Sequence, residues 1–169
     1  MKHFIQFKQG TLMKKIRFVF VALSLILVPT VFTNTLNANQ AIINTNEAMM
    51  YDFNAIPMNQ LTDKIGMRFF TTSQFTVIQW TLKQGAKLPS HTHMNEQITR
   101  VDSGELLVSS EGRSLHLIAG QMMVFPSHTP HGFIAQKDTV IYEQQTPIRQ
   151  DFLEPDFIQK LSDYLSKNQ

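Results

Sequence analysis

Two histidines one residue apart, His91 and His93, begin a short segment with the sequence HTHMNEQ, residues 91–97. The segment ends in a glutamate followed by a glutamine, Glu96 and Gln97. Side chains of a β-strand alternate between its two faces, so residues 91, 93 and 97 share one face and residue 96 points to the other. Two imidazoles and a carboxamide oxygen are acceptable ligands for a first-row transition metal. Unless a bulge shifts the register, this phase predicts a metal site of His91, His93 and Gln97.

A second segment that could supply a ligand is GQMMVFPSHTPHG, residues 120–132, with His128 and His131 around a proline-containing turn. A histidine pair of the HxH type is more often incidental than metal-binding when it stands alone. Either segment by itself is therefore a weak indication. The prediction depends on the two occurring in one chain.

Short runs rich in β-branched and aromatic residues dominate the chain from about residue 48, separated by Gly, Pro, Asn and Ser. This pattern predicts about eight strands at hairpin spacing. The predicted strands are residues 67–70, 75–82, 97–102, 105–110, 113–118, 121–125, 131–136 and 139–145. Such spacing is typical of an all-β antiparallel sandwich or barrel.

The end of the chain follows a different periodicity. After Pro155, apolar residues from Phe157 to Leu165 recur at three- and four-residue intervals, which predicts one amphipathic helix. The simplest role for this helix is to cover an open face of the barrel. The predicted organisation is lead-in strands at 39–66, a barrel at 67–150 and the C-terminal helix at 151–169.

The N-terminal residues 1–38 are predicted to be a secretory signal peptide, for which Met13 is a better start than the first residue. Basic residues around Lys14 precede an apolar run, 18–28, that Pro29 ends. The run is shorter than the ~20 residues that span a bilayer, and polar residues follow it, so a cleaved signal is favoured over an anchor. The mature protein is therefore predicted to be periplasmic or secreted, with no membrane attachment.

Composition places the chain among ordinary globular proteins. Its 169 residues suffice for one domain and an N-terminal appendage. Hydrophobic residues make up 43% and charged residues 17%. The net charge of +2 comes partly from the N-terminal basic residues, so nothing indicates a nucleic-acid partner. With no cysteine, the chain forms no disulfides, although export would permit them.

The two histidine segments together resemble the motifs of the cupin superfamily. The first cupin motif contains a glycine, an HxH pair, a glutamate and a second glycine. In the same register this chain has Gly85, His91, His93, Gln97 and Gly104. Gln97 therefore replaces the usual glutamate.

The second cupin motif contains a glycine, a proline, an inner glycine and a histidine. The corresponding residues here are Gly120, Pro126, His128 and His131, so His128 replaces the inner glycine. The resemblance implies a cupin β-barrel, also called a jelly roll, followed by the C-terminal helix. It also implies a metal held by three histidines and one glutamine: His91, His93, Gln97 and His131.

Residues 50–153 also resemble small single-domain cupins with such a ligand set. These include the pectin-degradation group, which converts unsaturated uronates into linear keto forms. That group follows its last core strand with a pattern like DVFSPPREDFL, and the matching stretch here is EQQTPIRQDFL, residues 143–153. The resemblance implies that Glu143 and Arg149 contact the substrate. Gln145 stands where the group has an aromatic residue, and Arg100 stands where it commonly has tyrosine.

These residues predict a Lewis-acid centre. Three neutral histidines and a neutral glutamine leave the +2 charge of a metal ion uncompensated, so the ion would polarise a bound oxygen strongly. Glu143 is the candidate for proton transfer, and Arg149 is the candidate partner of a substrate carboxylate. The alternative for these two residues is an ion pair with each other at the domain edge. Nickel, zinc, iron, manganese and copper all suit such a ligand set.

The predicted function is metal-dependent proton transfer on a small oxygenated compound, for example isomerisation of an unsaturated uronate. Dioxygenase chemistry and non-catalytic ligand binding are the alternatives, because the superfamily includes both. The expected partners are a small-molecule substrate and a second copy of the chain, since small cupins commonly form homodimers through edge strands.

Overall fold

Strands make up most of the described chain, which comprises residues 42–43 and 48–169 of a computed structural model. The predicted signal peptide, residues 1–38, lies outside these residues. The described residues belong to one compact unit, Phe32–Gln169. The elements are β1 (Ile42–Ile43), β2 (Asn59–Gln60), β3 (Ile65–Thr72), β4 (Thr76–Leu82), β5 (Lys87–His91), β6 (Glu96–Ser103), β7 (Glu105–Ser110), β8 (Arg113–Ile118), β9 (Met122–Phe125), β10 (His131–Ala135), β11 (Thr139–Thr146) and α1 (Phe157–Lys167).

The strands form two sheets. One has seven strands in the order β1-β3-β4-β11-β6-β9, with β2 also paired to β3. The other has four strands in the order β5-β10-β7-β8. All pairings are antiparallel among the described residues except that of β1 with β3. This architecture confirms the predicted all-β jelly roll with a C-terminal helix.

Apolar side chains from both sheets share one core. Ile78 and Ile141 come from the larger sheet, and Leu106, Val108 and Phe133 come from the smaller one, and all of them are buried. In β11 the alternation is regular, with residues 139, 141, 143 and 145 buried and the intervening ones more exposed. Because Glu143 and Gln145 lie on the buried face, β11 carries polar groups into the interior.

The hairpin between β6 and β7 requires glycine at position 104. Gly104 has φ +86°, and a Cβ there would lie 2.4 Å from the backbone oxygen of Asp138. Both the backbone conformation and the lack of space exclude a larger residue. The predicted turn at residues 102–105 is therefore present.

Helix α1 packs on the barrel through aromatic contacts. Phe157 and Leu165 are its buried residues. The ring centroid of Phe157 lies 4.1 Å from that of Phe152, which in turn lies 5.0 Å from that of Phe69 on β3. Among the described residues, no helix is long and apolar enough to cross a membrane.

Candidate metal centre

The segment that suggested a metal site does not form a single strand. His91 ends β5 of the smaller sheet, whereas Gln97 lies near the start of β6 in the larger sheet. His93 lies in the connection between them. The prediction that one strand face carries all three residues is therefore wrong. Their side chains nevertheless converge, and His93 Nε2 lies 3.0 Å from Gln97 Oε1.

Burial distinguishes the two candidate residues at the end of this segment. Gln97 is fully buried and Glu96 is exposed. The interior side of β6 therefore carries the carboxamide, and the glutamate points away as the sequence predicts.

A third histidine joins the first two. His131 begins β10 and is the cross-strand partner of His91. The ligand nitrogens of His91, His93 and His131 all lie within 4.8 Å of one another, a separation that one metal ion could bridge.

Backbone carbonyls orient all three rings in the same way. The Nδ1 atoms of His91, His93 and His131 lie 2.9, 3.0 and 2.8 Å from the carbonyl oxygens of Pro89, Asn95 and Thr129. Because a carbonyl oxygen only accepts, each Nδ1 must carry the hydrogen and donate it. Each neutral ring therefore directs the lone pair of Nε2 towards the cluster, as in metal-binding histidines.

The side-chain atoms that face the cluster are hydrogen-bond acceptors. His131 Nε2 is buried without a hydrogen-bond partner among the described residues. Gln97 donates through Nε2 to Thr99 Oγ1 and Glu143 Oε1, each at 2.9 Å, so its Oε1 must face His93. Two acceptors, His93 Nε2 and Gln97 Oε1, thus approach one another. A cation between them satisfies both, so the residues fit a divalent transition metal.

The protonation of the histidines also suits metal binding. Burial is the main cause that lowers the pKa of His91 and of His93, and it lowers the pKa of His131 to about 4. Imidazoles with lowered pKa values are neutral at physiological pH, which is the form that binds metals.

Glu143 lies behind the predicted glutamine ligand. Its Oε1 accepts from Gln97, and its Oε2 accepts from Trp80 Nε1 at 3.0 Å and from Gln145 Nε2 at 3.3 Å. Burial raises the pKa of Glu143 to about 7, although the hydrogen bond from Trp80 acts in the opposite direction. A carboxyl group of this kind can both accept and donate a proton near neutral pH.

Arg149 pairs with Asp151 and not with Glu143. Its Nε and Nη2 lie 2.8 and 2.5 Å from the two carboxylate oxygens of Asp151. Its Nη1 donates to Gln145 Oε1 at 3.0 Å, and the guanidinium lies 4.7 Å from the ring centroid of Phe152. The edge of the guanidinium that could bind a substrate carboxylate is therefore already engaged.

Gln145 connects Arg149 to Gln97, beside the histidine cluster. While its Oε1 accepts from Arg149, its Nε2 donates to Gln97 Oε1 at 2.7 Å. The sequence identified Gln145 only as a departure from an aromatic residue. Its phase on β11, shared with Glu143, is the signal that could have placed it beside the site.

His128 is exposed and lies outside the histidine cluster. Its φ of 63° is the left-handed conformation that favours glycine, the residue of the cupin motif at this position. Its backbone N–H donates to the carbonyl oxygen of His93 at 2.8 Å. Position 128 therefore supports the ligand loop through its backbone.

A cavity of about 380 Å³ lies between the barrel and α1, and we call it the helix-side cavity. Glu143, His91 and Gln145 line its barrel end, and Lys160 and Tyr164 of α1 line its opposite wall. The cavity thus gives access to His91 of the histidine cluster and to the buried carboxyl group of Glu143.

Comparisons with known proteins agree with this geometry. Residues 78–142 match the family model for the cupin domain. KdgF from Halomonas sp. is 27% identical, with a TM-score of 0.55 over 57% of this chain and 93% of its own. An RmlC-like cupin from Shewanella frigidimarina is 22% identical, with a TM-score of 0.54 over 57% of this chain and 87% of its own.

A more distant match is an oxalate decarboxylase from B. subtilis. It is 20% identical, with a TM-score of 0.54 over 63% of this chain and 31% of its own. At this identity, and at that of the Shewanella protein, the likeness shows a shared fold alone. A comparison with curated proteins finds no match.

Proposed function

We propose that the protein, whose residues 78–142 match the family model for the cupin domain, is a metal-dependent enzyme that transfers a proton on a small oxygenated compound. The observation that carries the proposal is the buried, unpartnered Nε2 of His131 within the histidine cluster. His91, His93, His131 and Gln97 would hold a divalent transition metal. Such an ion, when bound, supplies Lewis-acid polarisation of a substrate oxygen.

Glu143 is the proposed acid–base group. It lines the cavity beside His91, and hydrogen bonds from Trp80 and Gln97 fix its carboxylate. The carboxylate takes the proton from a carbon next to a substrate carbonyl, and the C–H electron pair moves into that carbonyl group. Return of the proton to a different atom of the substrate completes an isomerisation.

The likeness to KdgF supports this class of reaction. The pectin-degradation cupins that the sequence resembles act on unsaturated uronates, so these compounds are the reference substrates. Arg149 would bind a uronate carboxylate only after leaving Asp151.

Elemental analysis of protein purified without a metal-affinity tag tests the proposal. We expect about one divalent metal per chain, and its loss in His93→Ala and His131→Ala, because each removes a ligand. The matched control is His116→Ala, since His116 is exposed on β8 and outside the cluster. A protein that carries no metal, and gains none on incubation, would contradict the proposal.

Glu143→Gln tests the proton-transfer step in the same preparations. Incubation in D₂O under nitrogen with 2-oxohexanoate or an unsaturated uronate should lead to deuterium incorporation next to the carbonyl. The variant should retain its metal and exchange at least about 100-fold more slowly. Equal rates in the two proteins, or no exchange of either compound by the wild type, would show that the assignment is wrong.

A further inference from the structure

The walls of the helix-side cavity are mainly apolar. They are formed by side chains from β4, β5, the 3-10 helix Asp151–Leu153 and α1. The apolar residues include Ile78, Leu88, Phe152, Phe157, Leu161 and Leu165. Apolar walls favour ligands whose own surface is apolar, because both surfaces leave water on binding.

The cations of the cavity already have partners. Among the described residues, Arg149 and Lys160 are the cations that line it. Arg149 is paired with Asp151, and Lys160 Nζ lies 2.8 Å from Glu154 and 3.0 Å from Asp156. A carboxylate placed against α1 would therefore lack a free cation, and the hydroxyl groups of a sugar acid that face the apolar part of the walls would lose water without gaining a hydrogen bond.

The charged groups nearer α1 are paired with one another, Arg149 with Asp151 and Lys160 with Glu154, whereas polar groups at the barrel end lie beside the histidine cluster. There His91 and Glu143 border it, and Gln145 contacts the predicted ligand Gln97. A ligand with one oxygen-bearing end and one apolar end would match this division. Its oxygen atoms would face His91 and Glu143, and its body would lie against Phe152 and Leu161.

We propose that the helix-side cavity binds the apolar body of the substrate, so that the substrate is an oxygenated compound with an alkyl or aryl body. This inference rests on the proposed function for the oxygen-bearing end. It names a different substrate class from the polyhydroxylated uronates. Helix α1 is then the element that determines specificity.

A homologous series of probes tests the inference. Straight-chain 2-oxo acids from 2-oxobutanoate to 2-oxooctanoate share one oxygen-bearing end and differ only in alkyl length. Their affinities for the full-length protein loaded with Zn²⁺ are measured by isothermal titration calorimetry. Each methylene that enters the cavity should tighten binding about fourfold. Galacturonate should bind more weakly than 2-oxohexanoate.

Two variants of α1 test whether the dependence of affinity on alkyl length arises in the helix-side cavity. Leu161→Lys places a charge in the apolar wall and should abolish the dependence on length. Ser166→Lys adds the same charge at an exposed position outside the cavity lining and should leave the dependence unchanged. If Leu161→Lys does not fold, Leu161→Gln takes its place, because glutamine introduces a polar group into the wall without a charge.

The outcomes separate this inference from the proposed function. Affinities that do not change with alkyl length, no binding of any probe, or tighter binding of galacturonate would overturn the inference, whether or not the chain holds a metal. If affinity depends on alkyl length in a protein that fails to bind metal, the cavity binds the apolar body as inferred and the proposed function is contradicted.

Discussion

At the scale of single residues, the orientation of one carboxamide decides whether Gln97 can join the histidines in the proposed ligand set. Gln97 directs its oxygen to His93 because Thr99 and Glu143 accept from its nitrogen. Gln145 then donates to the same oxygen. Gln97, which stands where the cupin motif has glutamate, is therefore held by hydrogen bonds to three neighbours.

Removal of Gln145 should weaken the metal site without removing a ligand. In Gln145→Leu, Gln97 Oε1 loses a donor and Arg149 loses an acceptor, so we expect metal affinity to fall roughly 10- to 100-fold. Competition with a chromophoric chelator measures the affinity. Gln144→Leu is the matched control, because Gln144 is the exposed neighbour on β11. Equal affinities in the two variants would show that Gln145 does not position Gln97.

Glu143 should make the stability of the metal-free protein depend on pH. Its folded pKa of about 7 is raised from 4.5, so its favourable contribution is complete below pH 4.5 and is lost as the pH rises through 7. The side chain in Glu143→Gln does not ionise, so the stability of this variant lacks that dependence on pH. The Tm of the variant should therefore increase relative to that of the wild type between pH 4.5 and 7. A constant difference in Tm across this range would contradict the burial of an ionisable Glu143.

At the scale of elements, the sequence predicts strands well where alternation is regular. The observed β7 and β8 have the predicted bounds, 105–110 and 113–118. The pattern did not reveal β5, because Pro89 interrupts it. Proline is tolerated there because β5 is an edge strand, which pairs with a neighbour on one side only. The N–H that proline lacks can then be one that would not hydrogen-bond to another strand.

Strand phase could not predict the crossing between β5 and β6. Phase counting assumes a continuous strand, whereas residues 92–95 carry the chain from one sheet to the other. The resemblance to the cupin motifs named the same side chains without depending on strand geometry. Hydrogen bonds such as those of Gln145 and Asp151 with Arg149 depend on tertiary packing, so sequence periodicity does not reveal them.

The connection between β5 and β6 should depend on Asn95. This residue is 3% exposed, and its side-chain amide donates to the carbonyl oxygens of Pro147 and Ile148. Asn95→Ala should lower the free energy of unfolding by about 1–3 kcal/mol, because two carbonyl groups lose a donor.

Urea unfolding measures this change. Asn168→Ala is the control, since Asn168 is an exposed asparagine whose side-chain amide donates to one backbone carbonyl oxygen, that of Tyr164. We expect the control to change stability by less than about 0.5 kcal/mol. Similar effects of the two substitutions would show that the connection is held by other contacts.

At the scale of the whole molecule, both sheets end in strands with exposed apolar side chains. β9 is an edge of the larger sheet, and its Met122 and Val124 are 61% and 50% exposed. β8 is an edge of the smaller sheet, with Ile118 52% exposed. Such edges favour pairing with another chain. The homodimer expected from the sequence stays a prediction, and these two edges are its candidate interface.

Light scattering coupled to size-exclusion chromatography tests the homodimer. We expect twice the chain mass for the wild type, and a monomer for the double substitution Met122→Lys and Val124→Lys, because two buried charges would oppose association. Ser73→Lys changes an exposed turn between β3 and β4 and should leave the mass unchanged. A monomeric wild-type protein at micromolar concentration would contradict the prediction.

Trp80 gives this molecule an internal optical probe. The chain contains a single tryptophan, and its indole both lines the helix-side cavity and donates to Glu143. Indole emission responds to nearby charge and to exclusion of water. Fluorescence of the unlabelled protein should therefore register cavity filling and ionisation of the buried carboxyl group, and stopped-flow mixing could follow both in real time.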